Sequence, residues 1–230
     1  GVAWYWREFD APANPHPGGR YLVRFEAVDY LAEVWVNGQP VGGHEGGDTP
    51  FELDVTDAPR AGAKNLLAVR VLNPTHEPID GIVFKQTASG AKNYPITGNM
   101  VYNSGGIVDS VALVVAPAIR FEDLFVQSDW KSGEVRVRAD VFSVQSGPAE
   151  SVVRITVADV RSGEVVAAGT YPQKIAPGSS TLEAALQVPH RRLWELDDPA
   201  LYRVTAHVAA AGSPSADERA VRCGFRDFRF

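Results

Sequence analysis

The chain has 230 residues, of which 45% are hydrophobic and 22% are charged, a composition that excludes disordered and collagen-like proteins. Its 22 basic and 28 acidic residues give a net charge of −6, which disfavours nucleic acid as a partner because an anionic surface repels phosphates. We expect no membrane span, since no apolar run reaches about 18 residues, and the single cysteine excludes an internal disulfide.

In the first half of the chain, hydrophobic residues alternate with polar ones, which is typical of strands with one buried face. The predicted strands are residues 21–27, 32–36, 51–55, 66–72 and 108–115. After the second of them comes Asn37-Gly38, a dipeptide that favours the two positive φ angles of a type I′ turn. We therefore predict a hairpin that leads into Pro40 and Val41.

Between Asn73 and Gly106 the alternation stops for some thirty residues. Compact domains rarely contain irregular segments of this length unless the segment has a function. This predicted loop is therefore the first region to consider for a binding site.

The second half resumes the alternation after Ala116-Pro117, which we interpret as a linker. Its predicted strands are residues 120–129, 135–141, 153–157, 182–188 and 202–208. This spacing suits a small antiparallel sandwich that is immunoglobulin-like in pattern. The sequence thus predicts an all-β fold of two antiparallel β-sandwiches in tandem, with domains at 1–118 and 119–230.

Several segments in the same order resemble the front part of family 2 glycoside hydrolases, which include β-galactosidases, β-glucuronidases and β-mannosidases. In the first half these segments are 4–9 (WYWREF), 25–29 (FEAVD), 32–38 (AEVWVNG), 44–51 (HEGGDTPF), 65–71 (NLLAVRV) and 104–107 (SGGI). In the second half they are 193–194 (LW), 198–202 (DPALY) and 224–226 (GFR). The resemblance covers nearly the whole chain.

This resemblance implies a jelly-roll-like, galactose-binding-domain-like domain, then an immunoglobulin-like domain, then a catalytic (β/α)₈ barrel. In the barrel, two glutamates perform retaining β-glycoside hydrolysis. The sequence contains no Asn-Glu dipeptide, which the family has at its acid/base glutamate, and no βα alternation. We therefore expect a non-catalytic portion of a hydrolase of O-glycosyl bonds that supports the barrel, shapes the sugar pocket and is inactive alone.

The partners expected from the resemblance are a β-glycoside and the catalytic barrel, with a homo-oligomer left open and with no nucleic acid or membrane. No cofactor or metal is expected, because the histidines lack ligand spacing. An alternative is a self-sufficient carbohydrate-binding module, and a structural pair of adhesion-type sandwiches ranks third. The sequence does not choose among galactose, glucuronic acid and mannose, and it leaves the localisation open.

Sugar recognition uses flat aromatic faces together with carboxylates and amides that bind neighbouring hydroxyls. The long loop offers four candidate sugar-binding residues: Asp80, Asn99, Tyr102 and Asn103. By position, Asp80 matches an acid that contacts the non-reducing sugar in some β-galactosidases of the family. The alternative interpretation of Asp80 is a side chain that hydrogen-bonds its own turn.

One carboxylate cluster and one possible acid/base pair are interpreted as structural rather than catalytic. Asp198 and its neighbours Glu195 and Asp197 fit a solvated turn before Pro199, and His44 beside Glu45 fits the backbone geometry of a glycine-rich turn.

Residues 4–6 (WYW) cannot all face one core, because successive strand residues point to opposite sides. At least one must meet solvent, a ligand or another domain, and a contact with the barrel is favoured.

Overall fold

The computed structural model describes residues 1–83 and 105–227, and these residues form sixteen strands and no helix. They divide into two compact units, Gly1–Asn14 with Arg20–Val115 and Pro15–Gly19 with Ala116–Phe230. Within the described ranges there is no helix with the length and apolar character that crossing a bilayer requires. The predicted all-β class is confirmed.

The first unit contains nine strands. They are β1 (Val2–Asp10), β2 (Arg20–Phe25), β3 (Val28–Asp29), β4 (Leu31–Val36), β5 (Gln39–Glu45), β6 (Phe51–Asp54), β7 (Lys64–Leu72), β8 (Gly106–Ile107) and β9 (Val111–Ala116). A four-stranded sheet in the order β1-β7-β4-β5 faces a three-stranded sheet in the order β6-β2-β9, and β3 pairs with β8.

The core of the first unit forms because each sheet presents alternate apolar residues to the other. Val34 and Val69 from the larger sheet pack in one cluster with Val23 and Phe25 from the smaller sheet, and all four are buried. Phe25 also stacks on Phe51, with 4.8 Å between the ring centres. The opposite face of the larger sheet is thus left for other contacts.

The predicted hairpin at Asn37-Gly38 is confirmed. The two residues have φ angles of 53° and 82° and join β4 to β5. The Asn37 amide donates hydrogen bonds to Ala58 O (2.9 Å) and to the buried Asn65 Oδ1 (2.8 Å). The turn is therefore fixed by its own backbone and by its neighbours.

The second unit contains β10 (Ile119–Ser128), β11 (Glu134–Ser143), β12 (Ala149–Asp159), β13 (Val165–Ile175), β14 (Gly178–Gln187), β15 (Tyr202–Ala210) and β16 (Ala216–Cys223). A sheet in the order β10-β11-β14 faces one in the order β13-β12-β15-β16 across a common core. The sequence did not predict β13 and β16. Apart from Ile175, the residues of these two strands are exposed or half-buried, so neither strand carries the apolar alternation of a buried face.

Two hairpins of this unit share the turn pattern DxxSGE, which is DWKSGE at 129–134 and DVRSGE at 159–164. In each, the aspartate Oδ1 accepts hydrogen bonds from the backbone N–H groups two and three residues later, at 2.7 to 3.0 Å. The glycine of each turn has a positive φ angle, 77° at Gly133 and 75° at Gly163. This local repeat was not recognised in the sequence.

Candidate functional site

Of the four predicted sugar-binding residues, the structure describes only Asp80. Asn99, Tyr102 and Asn103 lie outside the described residues. Asp80 follows β7 in a short turn in which Ile79 and Ile82 exchange backbone hydrogen bonds of 3.0 and 2.9 Å. The φ angles of Asp80 and Gly81 are 51° and 81°, as a type I′ turn requires.

The Asp80 carboxylate accepts a hydrogen bond from the Arg70 guanidinium, whose other terminal nitrogen lies 2.5 Å from Glu33 Oε2. Arg70 and Glu33 are directly opposite in the β4–β7 register, and both point away from the core. The hydrogen bond with Asp80, followed by that with Glu33, raises the pKa of Arg70 above its ordinary value. Arg70 therefore stays charged, and the three groups sum to one negative charge.

Three tryptophans lie on the same outer face of the larger sheet as this ion-pair cluster. Trp4 and Trp6 are two residues apart on β1, and Trp35 lies on β4. The ring centres of Trp4 and Trp6 are 6.0 Å apart with nearly parallel planes, and those of Trp4 and Trp35 are 5.2 Å apart. The small Ala68 lies between Trp6 and Trp35 in the strand register, which leaves room for the rings above it.

Trp4 is 44% exposed and Trp6 is 64% exposed. Both rings are therefore in contact with solvent. This confirms the prediction that at least one aromatic residue of 4–6 lies outside the core. The contact with a barrel stays a prediction. We call these three indoles, together with Arg70 and Glu33, the outer face.

Side chains on the other side of β1 border a cleft. Tyr5, Arg7 and Phe9 line a cleft of about 500 Å³ with residues of β2, β7, β8 and β9. Most of this lining is apolar, including Val23 and Leu67. The cleft includes no carboxylate among the residues that line it, so it lacks the groups that hydrolysis of a glycoside requires.

The carboxylate cluster and the His44–Glu45 pair, both interpreted as structural, contact structural partners. Asp198 binds Arg192 and lies 2.9 Å from Arg161, and these hydrogen bonds, that of Arg192 foremost, lower the pKa of Asp198. His44 and Glu45 end β5 rather than forming a turn. The His44 ring stacks on Phe51 at 4.4 Å, and its Nε2 lies 3.0 Å from Thr49 Oγ1.

No group of three or more histidine, cysteine, aspartate or glutamate side chains is placed to hold a metal ion in the part of the chain that the structure describes. Sequence reasoning missed two features of the site. The Asp80-Gly81 dipeptide between two isoleucines is itself a hairpin-turn signal, and it was overlooked. The pairing of Arg70 with Glu33 had no local signal, since it depends on the register of two strands 37 residues apart.

Comparison with known proteins identifies both halves of the chain. The family model described as "Glycosyl hydrolases family 2, sugar binding domain" matches residues 1–117, and the model "Glycosyl hydrolases family 2" matches residues 119–226. A solved member of this family from Bacteroides cellulosilyticus superimposes with a TM-score of 0.78 at 26% identity, covering all of this chain and 29% of that one.

Two of the curated relatives represent the two activities named among them. A β-glucuronidase of Canis lupus familiaris is 32% identical over 245 residues, which cover 98% of this chain and 35% of the relative. A β-galactosidase of Thermoanaerobacter pseudethanolicus is 26% identical over 232 residues, which cover 100% of this chain and 29% of the relative. The chain thus spans roughly a third of the length of the curated relatives it matches.

Proposed function

This chain belongs to glycosyl hydrolase family 2, and we propose that it is the non-catalytic front portion of a larger β-glycosidase of β-galactosidase or β-glucuronidase type. In that protein its two domains, at 1–118 and 119–230, support a catalytic barrel and shape the rim of the sugar pocket. The observation that carries this proposal is the match of two successive domain models to a chain that spans roughly a third of its relatives.

The geometry of Asp80 supports a role in shaping the pocket. The turn places its carboxylate on the surface, 58% exposed, while Arg70 binds Oδ2. No described residue bonds Oδ1, which is therefore the oxygen that can accept a hydrogen bond from a sugar hydroxyl. Asp80 is proposed as a sugar contact, and Asn99, Tyr102 and Asn103 are proposed with it on the sequence argument alone.

The first experiment measures hydrolysis of nitrophenyl β-galactoside, β-glucuronide and β-mannoside by the 230-residue chain. We expect no turnover above the uncatalysed rate, because the two carboxylates of the retaining mechanism belong to the barrel. Robust turnover that survives repurification would overturn the proposal.

The second experiment replaces the matched segment of the Thermoanaerobacter β-galactosidase with this chain. We expect the chimera to hydrolyse nitrophenyl β-galactoside. If Asp80 contacts the sugar, Asp80→Asn raises the KM of this chimera, whereas Asp57→Asn, a matched exposed aspartate on another turn, leaves it unchanged. An equal KM for the chimera and both of its variants would show that Asp80 does not contact the sugar.

A further inference from the structure

Three arginines of the second unit have no hydrogen-bond or ion-pair partner among the described residues, and all three lie on the same face of one sheet. Arg154 is on β12, Arg203 on β15 and Arg222 on β16, and each is exposed. Every other arginine described between residues 119 and 227 contacts a carboxylate, a backbone carbonyl or an aromatic ring. The unmatched positive charge of this unit is therefore concentrated on one surface, which we call the arginine face.

Two of these arginines are directly opposite each other. Arg203 pairs with Arg222 in the β15–β16 register, so both side chains leave the sheet on the side away from the core. Like charges in this arrangement destabilise a sheet. On the other side of Arg203 the register places Ala158, which supplies no counter-charge. A carboxylate bound between the two guanidinium groups would relieve this repulsion, and arginine is well suited to bind one through two parallel hydrogen bonds.

A second basic position lies four residues further along β15. There Arg154 is opposite His207, and His207 is opposite Glu218. Four residues of a strand span about 13 Å, so one small anion does not reach both positions. A ligand that satisfies the whole face must therefore be extended along the strands.

The strip between the two basic positions is made of short, uncharged side chains. Thr156, Thr205 and Ala220 lie opposite one another in the register, and Ala168 continues this row on β13. The backbone of a ligand can approach the sheet closely here, while the side chains of the ligand reach the arginines. The two threonine hydroxyls also offer hydrogen bonds to that backbone.

The charge pattern favours one kind of anionic partner. A single phosphate or carboxylate group satisfies the Arg203–Arg222 pair but leaves Arg154 unmatched. A nucleic acid brings closely spaced phosphates, which Glu218 would repel. An extended polypeptide has nearly the same rise per residue as the strands beneath it, so carboxylates four residues apart reach both basic positions.

We propose that the arginine face docks an extended acidic polypeptide segment of a partner protein. Carboxylates of that segment bind the Arg203–Arg222 pair at one end and Arg154 at the other, and its backbone lies over Thr156 and Thr205. This interaction surface goes beyond the proposed accessory role, because it requires neither a sugar nor a catalytic barrel.

The test measures, by fluorescence anisotropy, the binding of a labelled and blocked Ala/Thr peptide that carries two pairs of glutamates four residues apart. We expect a dissociation constant on the order of 0.1–1 mM at low ionic strength. Binding should weaken several-fold at physiological salt, because exposed charges are screened. A control peptide of the same composition with all its glutamates adjacent should bind several-fold more weakly.

Three results of this titration overturn the proposal. The first is no binding of the spaced peptide at millimolar concentration, and the second is equal binding of the two peptides. The third is tighter binding of inorganic phosphate or of a DNA duplex than of the spaced peptide, which would assign the face to another anion.

Variants locate the surface. Arg203→Gln/Arg222→Gln should weaken binding of the spaced peptide about tenfold or more, because it removes two charge-assisted contacts. Arg136→Gln/Arg138→Gln is the matched control, since it removes the same charge from two exposed arginines on the other sheet of this unit. The control should leave the affinity within about twofold. An equal loss in both double variants would mean that only the overall charge matters and would reject the site.

Urea unfolding and sedimentation of the same variants separate docking from other roles. Arg203→Gln should leave the free energy of unfolding unchanged or raise it slightly, because it removes a like-charge pair. A marked loss of stability would give the pair a structural role and overturn the proposal. Self-association of the unmodified chain that Arg203→Gln/Arg222→Gln abolishes would assign the face to a second copy instead. None of these results changes the outcome of the hydrolysis and chimera experiments, which test the accessory role alone.

Discussion

Asp80 and Arg70 form an ion pair that joins the turn after β7 to the last part of β7 itself. The pair brings the one described sugar-binding candidate onto the same sheet face as three tryptophans. A residue selected for its place in a long loop thus belongs to a cluster whose other members lie on regular strands.

The Asp80–Arg70 pair should contribute little to stability, because the Asp80 carboxylate is largely exposed. Asp80→Asn and Arg70→Met, measured singly and together by urea unfolding, should show a coupling free energy of about 0.2–1 kcal/mol. The coupling should shrink in high salt. A coupling several times larger would mean that the turn depends on this pair for its structure.

The two type I′ turns require glycine at their second position. Gly38→Ala and Gly81→Ala should each destabilise the chain by about 1–2 kcal/mol, since φ angles near 80° are unfavourable for an L-residue. No atom lies within 4 Å of the added Cβ in either case, so the cost is a backbone cost.

Gly147→Ala is the matched control for these substitutions. This glycine also has open space around its Cβ position but lies outside the left-handed region. Chemical unfolding should show a change near zero or a small stabilisation. Equal effects at all three positions would contradict the conformational explanation.

Phe225 supports the core of the second unit and is fully buried, with its ring edge-to-face to Tyr202 at 5.3 Å. Phe225→Ala should lower the free energy of unfolding by about 3–5 kcal/mol because it leaves a cavity. Phe125→Ala removes the same side chain from a position that is 59% exposed and should cost under about 0.5 kcal/mol. Thermal unfolding of the two variants distinguishes these outcomes.

Acid should weaken the two DxxSGE hairpins. Hydrogen bonds from the backbone N–H groups of Ser132 and Lys131 lower the pKa of Asp129, and Ser162 does the same for Asp159, assisted by Arg161. Each folded pKa lies below the unfolded value of about 3.9. The stabilisation is therefore present above that value and is lost as the pH falls through the folded pKa.

Urea unfolding between neutral pH and acid tests this expectation. Asp129→Asn and Asp159→Asn should each flatten the loss of stability below about pH 4, and the double variant should flatten it further. An unchanged pH slope in the double variant would show that other carboxylates control acid unfolding.

Much of the fold was predictable because a strand with one buried face alternates apolar and polar residues along the chain. The alternation of Val69 and Val71 with Ala68 and Arg70 indicated which side of β7 faces the core, and the structure has this orientation. Asn37-Gly38 likewise specified its turn through the φ angles it tolerates. β13 lacked a comparable signal because only Ile175 of its residues is buried.

The sequence by itself determined the all-β class, the tandem sandwiches, the family and the fact that residues 4–6 could not share one core. Each of these depends on the order and spacing of residues along the chain. Only the tertiary structure decided that Arg70 lies between Glu33 and Asp80 and that Trp35 lies against Trp4. Those contacts depend on the register of β4, β7 and β1, which is fixed when distant strands pair and leaves no periodic trace in the sequence.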